Sequence, residues 1–114
     1  MILRCRPAPL RGAVEIPGSK SHTMRALAIA SLAEGESRIE APLDSADTRS
    51  ALEAFRALGA EIETAPGMWS VRGFGSEPRP PENVLDVGNS GTALRVLLGA
   101  CALLPRGRYA VLTG

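Results

Sequence analysis

An α/β fold of βαβαββ-type units is what this sequence predicts, and three patterns support it. Segments with apolar residues at helical spacing alternate with short extended runs. Each helical segment opens on hydroxyl or acidic residues able to cap it, and glycine follows the first two. A strand, a glycine-bearing turn and a helix with an arginine in its first turns occur twice, around Gly18 and around Gly88. At 114 residues the chain has room for one domain and no more.

Arg11 to Ile16 is expected as the first strand, with Ala13, Val14 and Ile16 among polar residues and Pro17-Gly18 closing it. Met24, Leu27, Ala28 and Leu32 predict a helix from Ser21 to Ala33, stopped by Gly35. Ser37 to Ala41 follows as a strand anchored by Ile39. Asp44-Ser45-Ala46-Asp47 offers N-caps to a second helix, Thr48 to Leu58. There Ala51, Leu52, Phe55 and Leu58 share one face and Gly59 ends it. Ala60 to Thr64 and Met68 to Arg72 read as a hairpin about Ala65-Pro66-Gly67, with Trp69 as a packing residue. Gly73 to Pro81 is a loop, Val84 to Val87 a short strand, Thr92 to Leu104 a third helix and Arg108 to Leu112 a last strand. The second unit stops after βαβ, so the chain is expected to be a piece of something larger.

Composition narrows the function classes. Hydrophobic residues make up 45% and aromatics only 4%, so the core must come mainly from Leu, Ala, Ile and Val. A net charge of +1, from 13 basic and 12 acidic residues, lacks the basic surface that non-specific nucleic-acid binding requires. The longest charge-free runs, such as Val96 to Pro105, are too short to cross a bilayer, and the N-terminus has no apolar signal region. Cys5 and Cys101 lack metal-ligand spacing and read as free thiols of a reducing compartment. The expectation is a cytoplasmic protein that binds neither membrane nor nucleic acid.

Two constellations carry chemistry. In Pro17-Gly18-Ser19-Lys20-Ser21 a strand end meets a helix start, where unpaired N–H groups and the positive end of the dipole favour anions. Lys20 adds a point charge, Ser21 a hydroxyl and Arg25, one turn deeper, a planar fork for anion oxygens. The G-x-x-x-x-G-K-S/T spacing of a nucleotide-binding loop fails here, which disfavours nucleotide hydrolysis. The second constellation, Gly88-Asn89-Ser90-Gly91-Thr92 with Arg95, repeats the arrangement before the third helix. A capped helix after a glycine turn is the structural alternative for each. Two cations near the start of the first helix nevertheless oppose its dipole unless an anion is present.

Gly18-Ser19-Lys20-Ser21, Arg25-Ala26-Leu27, Leu43-Asp44-Ser45-Ala46-Asp47-Thr48, Leu58-Gly59-Ala60, Gly88 to Arg95 and Leu112-Thr113-Gly114 follow one another in a recognisable order. In that order and spacing the chain resembles the N-terminal part of the 5-enolpyruvylshikimate-3-phosphate synthase family. The sister family, UDP-N-acetylglucosamine enolpyruvyl transferase, shares the fold but typically has asparagine after the lysine, so Ser21 favours the shikimate family. The resemblance implies the inside-out α/β barrel fold, with three βαβαββ units in each of two domains. It also implies transfer of the enolpyruvyl group of phosphoenolpyruvate to shikimate 3-phosphate without cofactor or metal.

By the same resemblance Lys20, the one catalytic candidate in the chain, contacts both substrates, while Ser21 and Arg25 bind shikimate 3-phosphate. Asn89, Gly91 and Thr92 line the phosphoenolpyruvate pocket, with Asp47 and Arg95 in support. His22 is expected as a first-turn helix residue rather than a base. Residues 1–16 are expected to pack with the other domain, and 17–114 to form the first unit and the start of the second. Later arginines and acidic groups of the family have no counterpart up to Gly114, so no turnover is expected from the chain alone. Besides a fragment of the sister transferase family, two alternatives stay open. One is a stand-alone module that binds anions or complements a partner without catalysis; the other is a piece too exposed to function.

Overall fold

Three serines decide where the helices begin. The computed structural model describes residues 1–114. Helix α1 spans Lys20–Leu32, and the extended Ser19 before it accepts the His22 N–H on its Oγ at 3.4 Å. Helix α2, Ala46–Ala57, starts from Ser45 with a reciprocal capping box. Ser45 Oγ accepts from Thr48 N–H at 3.4 Å while Thr48 Oγ1 accepts from Ser45 N–H at 2.9 Å. Ser90 Oγ accepts from Ala93 N–H at 3.3 Å and starts α3, Gly91–Cys101. All three helices therefore begin slightly earlier than the apolar periodicity alone suggests, because the caps set the start.

Strands β1 (Glu36–Glu40), β2 (Glu61–Ala65) and β3 (Met68–Arg72) form an antiparallel sheet in the order β1-β3-β2. Both outer strands run antiparallel to β3, so β1 and β2 are parallel to each other and α2 is their crossover, split by β3. The expected hairpin of β2 and β3 is present, with Glu61 opposite Arg72 and Ala65 opposite Met68. Ile39, Ile62, Trp69 and Val71 are buried on the face under the helices. Glu36, Arg38, Glu40, Glu61, Glu63 and Arg72 occupy the exposed face, the period-two pattern of a half-covered sheet.

The three helices pack on one another, and α1 and α2 also pack on that sheet. Met24, Leu27 and Ala28 meet Leu52, Phe55 and Leu58 in one core cluster, extended by Ala93, Leu97 and Ala100 of α3. Full burial of a side chain such as Phe55 contributes about 1.5–3 kcal/mol. The loop after β3 closes the other end of α1: Phe74 N–H donates to Ser31 O at 2.8 Å and Gly75 N–H to Ala33 O at 3.3 Å. Those carbonyls have no partner within the helix, and α1 has no basic residue in its last turn to serve them.

Two expectations need correction. Arg11 to Ile16 forms no strand: residues 1–17 are exposed throughout, Val14 and Ile16 at 82% and 76%. A strand requires a pairing edge, and nothing in residues 1–114 lies beside this segment to supply one. The extended arm accounts for a radius of gyration of 17.2 Å, against roughly 13 Å for a compact chain near this size. The last strand is Leu112–Thr113 (β5), not Arg108 to Leu112, and it pairs in parallel with Leu85–Asp86 (β4) across α3. The ladder is held by Leu85 N–H donating to Val111 O at 2.8 Å and Val87 N–H to Thr113 O at 2.9 Å, while Arg108 N–H turns back to Pro105 O at 3.0 Å.

Candidate functional site

The first station is built where α1 leaves the Gly18 turn. Gly18 packs so closely on the chain after β1 that a Cβ there would sit 2.5 Å from Ala41 O. Lys20 is the first residue of α1, and its Nζ reaches Asp47 Oδ2 at 2.6 Å. That ion pair ties the start of α1 to the start of α2. The Arg25 Nε donates to Ser21 O at 3.1 Å; its remaining guanidinium nitrogens and the Ser21 hydroxyl have no protein partner. His22 is exposed on the first turn, and only its backbone N–H is engaged.

The second station lies at the start of α3. Asp86 Oδ1 accepts from Gly88 N–H at 2.8 Å, and Gly88 holds φ 56°, a left-handed conformation that glycine adopts without strain. Asn89 and Thr92 are exposed, with side chains free of protein hydrogen bonds. Arg95 folds back so that Nη1 donates to Gly91 O at 2.9 Å, where a side chain on Gly91 would crowd it. Val87 to Gly91, Leu94 and Gly114 enclose a hollow of about 180 Å³. Larger hollows of about 440 and 340 Å³ lie elsewhere, around Pro80 to Val84, away from every predicted site residue.

Helix α2 stands between the stations. Asp47 faces Lys20 on one side, and a Cβ on Gly88 would meet Ser50 Oγ at 3.3 Å on the other. The first turns of α1 and α2, and of α2 and the segment that opens α3, thus lie beside one another. Neither α1 nor α3 has an acidic residue in its first turn, so their positive ends are not neutralised from within. The guanidinium of Arg49 grips Asp44 with two hydrogen bonds, at 2.5 and 2.6 Å, and holds that carboxyl below its usual range. Burial pushes the Cys101 thiol up. No group of three or more His, Cys, Asp and Glu side chains converges to hold a metal ion. No helix is long and apolar enough to cross a membrane.

Lys20 of α1 and Asp47 of α2 are in direct contact; Ser21 and Arg25 follow Lys20 along α1, while Asn89, Gly91, Thr92 and Arg95 line the start of α3. Sequence reasoning passed over Ser50, which offers no motif, and Thr48 as the partner in a capping box. The Ser45-x-x-Thr48 spacing was the available signal for the latter.

These features define an α/β protein in which the first turns of three packed helices lie beside one another, two of them without an acidic residue. A model of the family described as EPSP synthase (3-phosphoshikimate 1-carboxyvinyltransferase) matches residues 5–114. The chain belongs to that family. It is 54% identical over 103 residues to the 3-phosphoshikimate 1-carboxyvinyltransferase of Acetivibrio thermocellus, covering 90% of this chain and 24% of that relative. With the enzyme of the same name from Methanococcus aeolicus it shares 46% over 115 residues, 100% of this chain and 26% of the relative. The solved EPSP synthase from Acinetobacter baumannii superposes with a TM-score of 0.79 at 32% identity, over 90% of this chain and 23% of that one. The chain thus spans about a quarter of the length of the curated relatives it matches.

Proposed function

We propose that this chain supplies the anion-binding end of an enolpyruvyl transferase that acts on phosphoenolpyruvate and shikimate 3-phosphate. The observation that carries this reading is α2 standing between the stations, with Lys20 at one flank and Gly88 at the other. Both substrates are anionic, and two helix N-termini backed by cations favour them. Ser21 and Arg25 hold shikimate 3-phosphate through a hydroxyl and a planar guanidinium fork. Asn89, Gly91 and Thr92 hold phosphoenolpyruvate, and Lys20 stands between the two substrates as a point charge. Asp47 orients Lys20, and Arg95 steadies the first turn of α3.

Positioning the substrates is this chain's share of the reaction. Residues 1–16, whose apolar side chains lie exposed, are proposed to pack against the second domain of the family fold. The same reading places the protein in the cytoplasm, where Cys5 and Cys101 stay free thiols.

Titration of the chain with shikimate 3-phosphate and phosphoenolpyruvate, followed by amide chemical shifts, tests the proposal. Shikimate 3-phosphate is expected to perturb Ser21 and Arg25, and phosphoenolpyruvate to perturb Asn89 to Thr92, with no enolpyruvyl product formed by the chain alone. Shifts scattered away from both stations would contradict the assignment. Steady turnover would contradict the claim that the chain only positions.

A further inference from the structure

Two buried threonines outside both stations grip a single residue from opposite sides. Thr23 and Thr48 are 4% and 0% exposed. Leu43 N–H donates to Thr23 Oγ1 at 2.9 Å, and Thr48 Oγ1 donates to Leu43 O at 2.7 Å. Leu43 lies in no helix or strand, so these hydroxyls stand in for the partners that regular structure would provide. Thr23 belongs to α1 and Thr48 to α2, so Leu43 hangs between the two helices whose first turns carry Lys20 and Asp47.

The surrounding backbone is held in an unfavourable form. Ala41 has φ 47°, a left-handed conformation that a residue with a Cβ rarely adopts, and its N–H donates to Gly67 O at 2.8 Å. Gly18 lies against the same stretch, where a Cβ would meet Ala41 O at 2.5 Å and Leu43 N at 3.0 Å. The turn that opens the first station therefore rests on the segment that the threonines hold.

We propose that Thr23 and Thr48 are positioning residues of the first anion station. By clamping Leu43 they fix the seat of Gly18 and keep the start of α2 beside α1, which brings Lys20 to Asp47. The role in anion binding rests on the function proposed above; the clamp itself does not.

The test uses isotope-labelled wild-type, Thr23→Val, Thr23→Ser and Thr48→Ser chains, with inorganic phosphate as the probe. In the wild type, slow exchange of the Leu43 amide and a side-chain nuclear Overhauser contact between Lys20 and Asp47 are expected. Thr23→Val preserves shape but removes the acceptor. It is expected to speed Leu43 exchange about tenfold, as loss of one hydrogen bond implies, and to abolish the Lys20–Asp47 contact. Thr23→Ser and Thr48→Ser keep the hydroxyl and retain both signals. Phosphate shifts at Ser19 to Ser21 weaken about tenfold in Thr23→Val, while those at Gly88 to Gly91 persist.

Fast Leu43 exchange in the wild type overturns the clamp, as does a Lys20–Asp47 contact that survives Thr23→Val. Equal loss of the phosphate response at both stations overturns positioning in favour of a general folding role. No phosphate response at either wild-type station overturns the substrate reading, while slow Leu43 exchange with rescue by Thr23→Ser still upholds the clamp. Should Thr23→Val fail to fold, wild-type exchange and the two serine variants decide the matter.

Discussion

Lys20 Nζ lies 2.6 Å from Asp47 Oδ2, joining the first residue of α1 to the second residue of α2 across 27 positions of sequence. The lysine side chain is 51% exposed and that of the aspartate 25%. A pair so open to water contributes at most about 1 kcal/mol to stability. Its consequence is for binding, because Asp47 holds the ammonium group at the first station. Lys20→Met is therefore expected to change stability by less than about 1 kcal/mol. The same variant should weaken phosphate binding about tenfold or more, the scale of a lost charged hydrogen bond. Asp47→Asn should weaken phosphate binding by less than Lys20→Met, because the amide oxygen still accepts from Nζ and the ammonium charge remains. Titration by amide shifts at constant ionic strength checks both, and tighter binding in Asp47→Asn would show that the carboxylate competes with the anion instead of orienting the lysine.

Ala41 is the one residue other than glycine with a positive φ, at 47°. Left-handed backbone costs a residue with a Cβ about 1–2 kcal/mol, part of which glycine returns through its more flexible unfolded state. Ala41→Gly is expected to raise stability by roughly 0.5–1 kcal/mol, read as a higher urea midpoint at unchanged slope. A lower midpoint would mean that the strain is relieved by contacts not evident from φ.

Gly73 and Gly99 should respond to alanine in opposite directions. A Cβ on Gly73 would lie 2.1 Å from Ala33 O and 2.4 Å from Ala30 O, inside the seal that closes the end of α1. Gly73→Ala is expected to destabilise by about 1–3 kcal/mol through forced backbone movement. Gly99 sits within α3 with nothing within 4 Å of the same position. Gly99→Ala should stabilise by about 0.5–1 kcal/mol through helix propensity alone. Thermal unfolding of the two variants side by side separates these outcomes.

Asp44 offers a pH signature. Hydrogen bonds from Arg49 hold its carboxyl below the ordinary value of 3.8, so the folded state stays ionised to lower pH than the unfolded state. The contribution is present above the ordinary carboxylate range and is lost as pH falls through the lowered value. The hydrogen bond with Asp44 shifts Arg49 upward, so it adds no pH dependence in this window. The stability difference between wild type and Asp44→Asn is thus expected to be constant above about pH 5 and to shrink as acid protonates Asp44. Both side chains are exposed, so the difference will be small, and its pH dependence is the diagnostic. A difference that grows in acid would contradict the pairing.

Much of the framework was legible because it depends on neighbours in sequence. Ser19, Ser45 and Ser90 cap helices through hydroxyls that reach only three residues ahead. Phe55 and Trp69 sit where periods of 3.6 and 2 place them, on the inward faces of α2 and β3. The same periodicity misjudged Arg11 to Ile16, since alternation marks a face without supplying the strand it must pair with. It overextended β5 for a related reason, because the length of a strand also depends on how far its partner runs beside it.

The site divides along the same line. Sequence by itself marked the two stations proposed to take anions, because a glycine turn, hydroxyl caps and an arginine one turn on are local features with local chemistry. It left open what joins them. Tertiary structure alone decided that α2 stands between the stations, that Lys20 pairs with Asp47, and that Thr23 and Thr48 share Leu43. Those relationships are distances between groups on different elements, which exist only once the helices have packed.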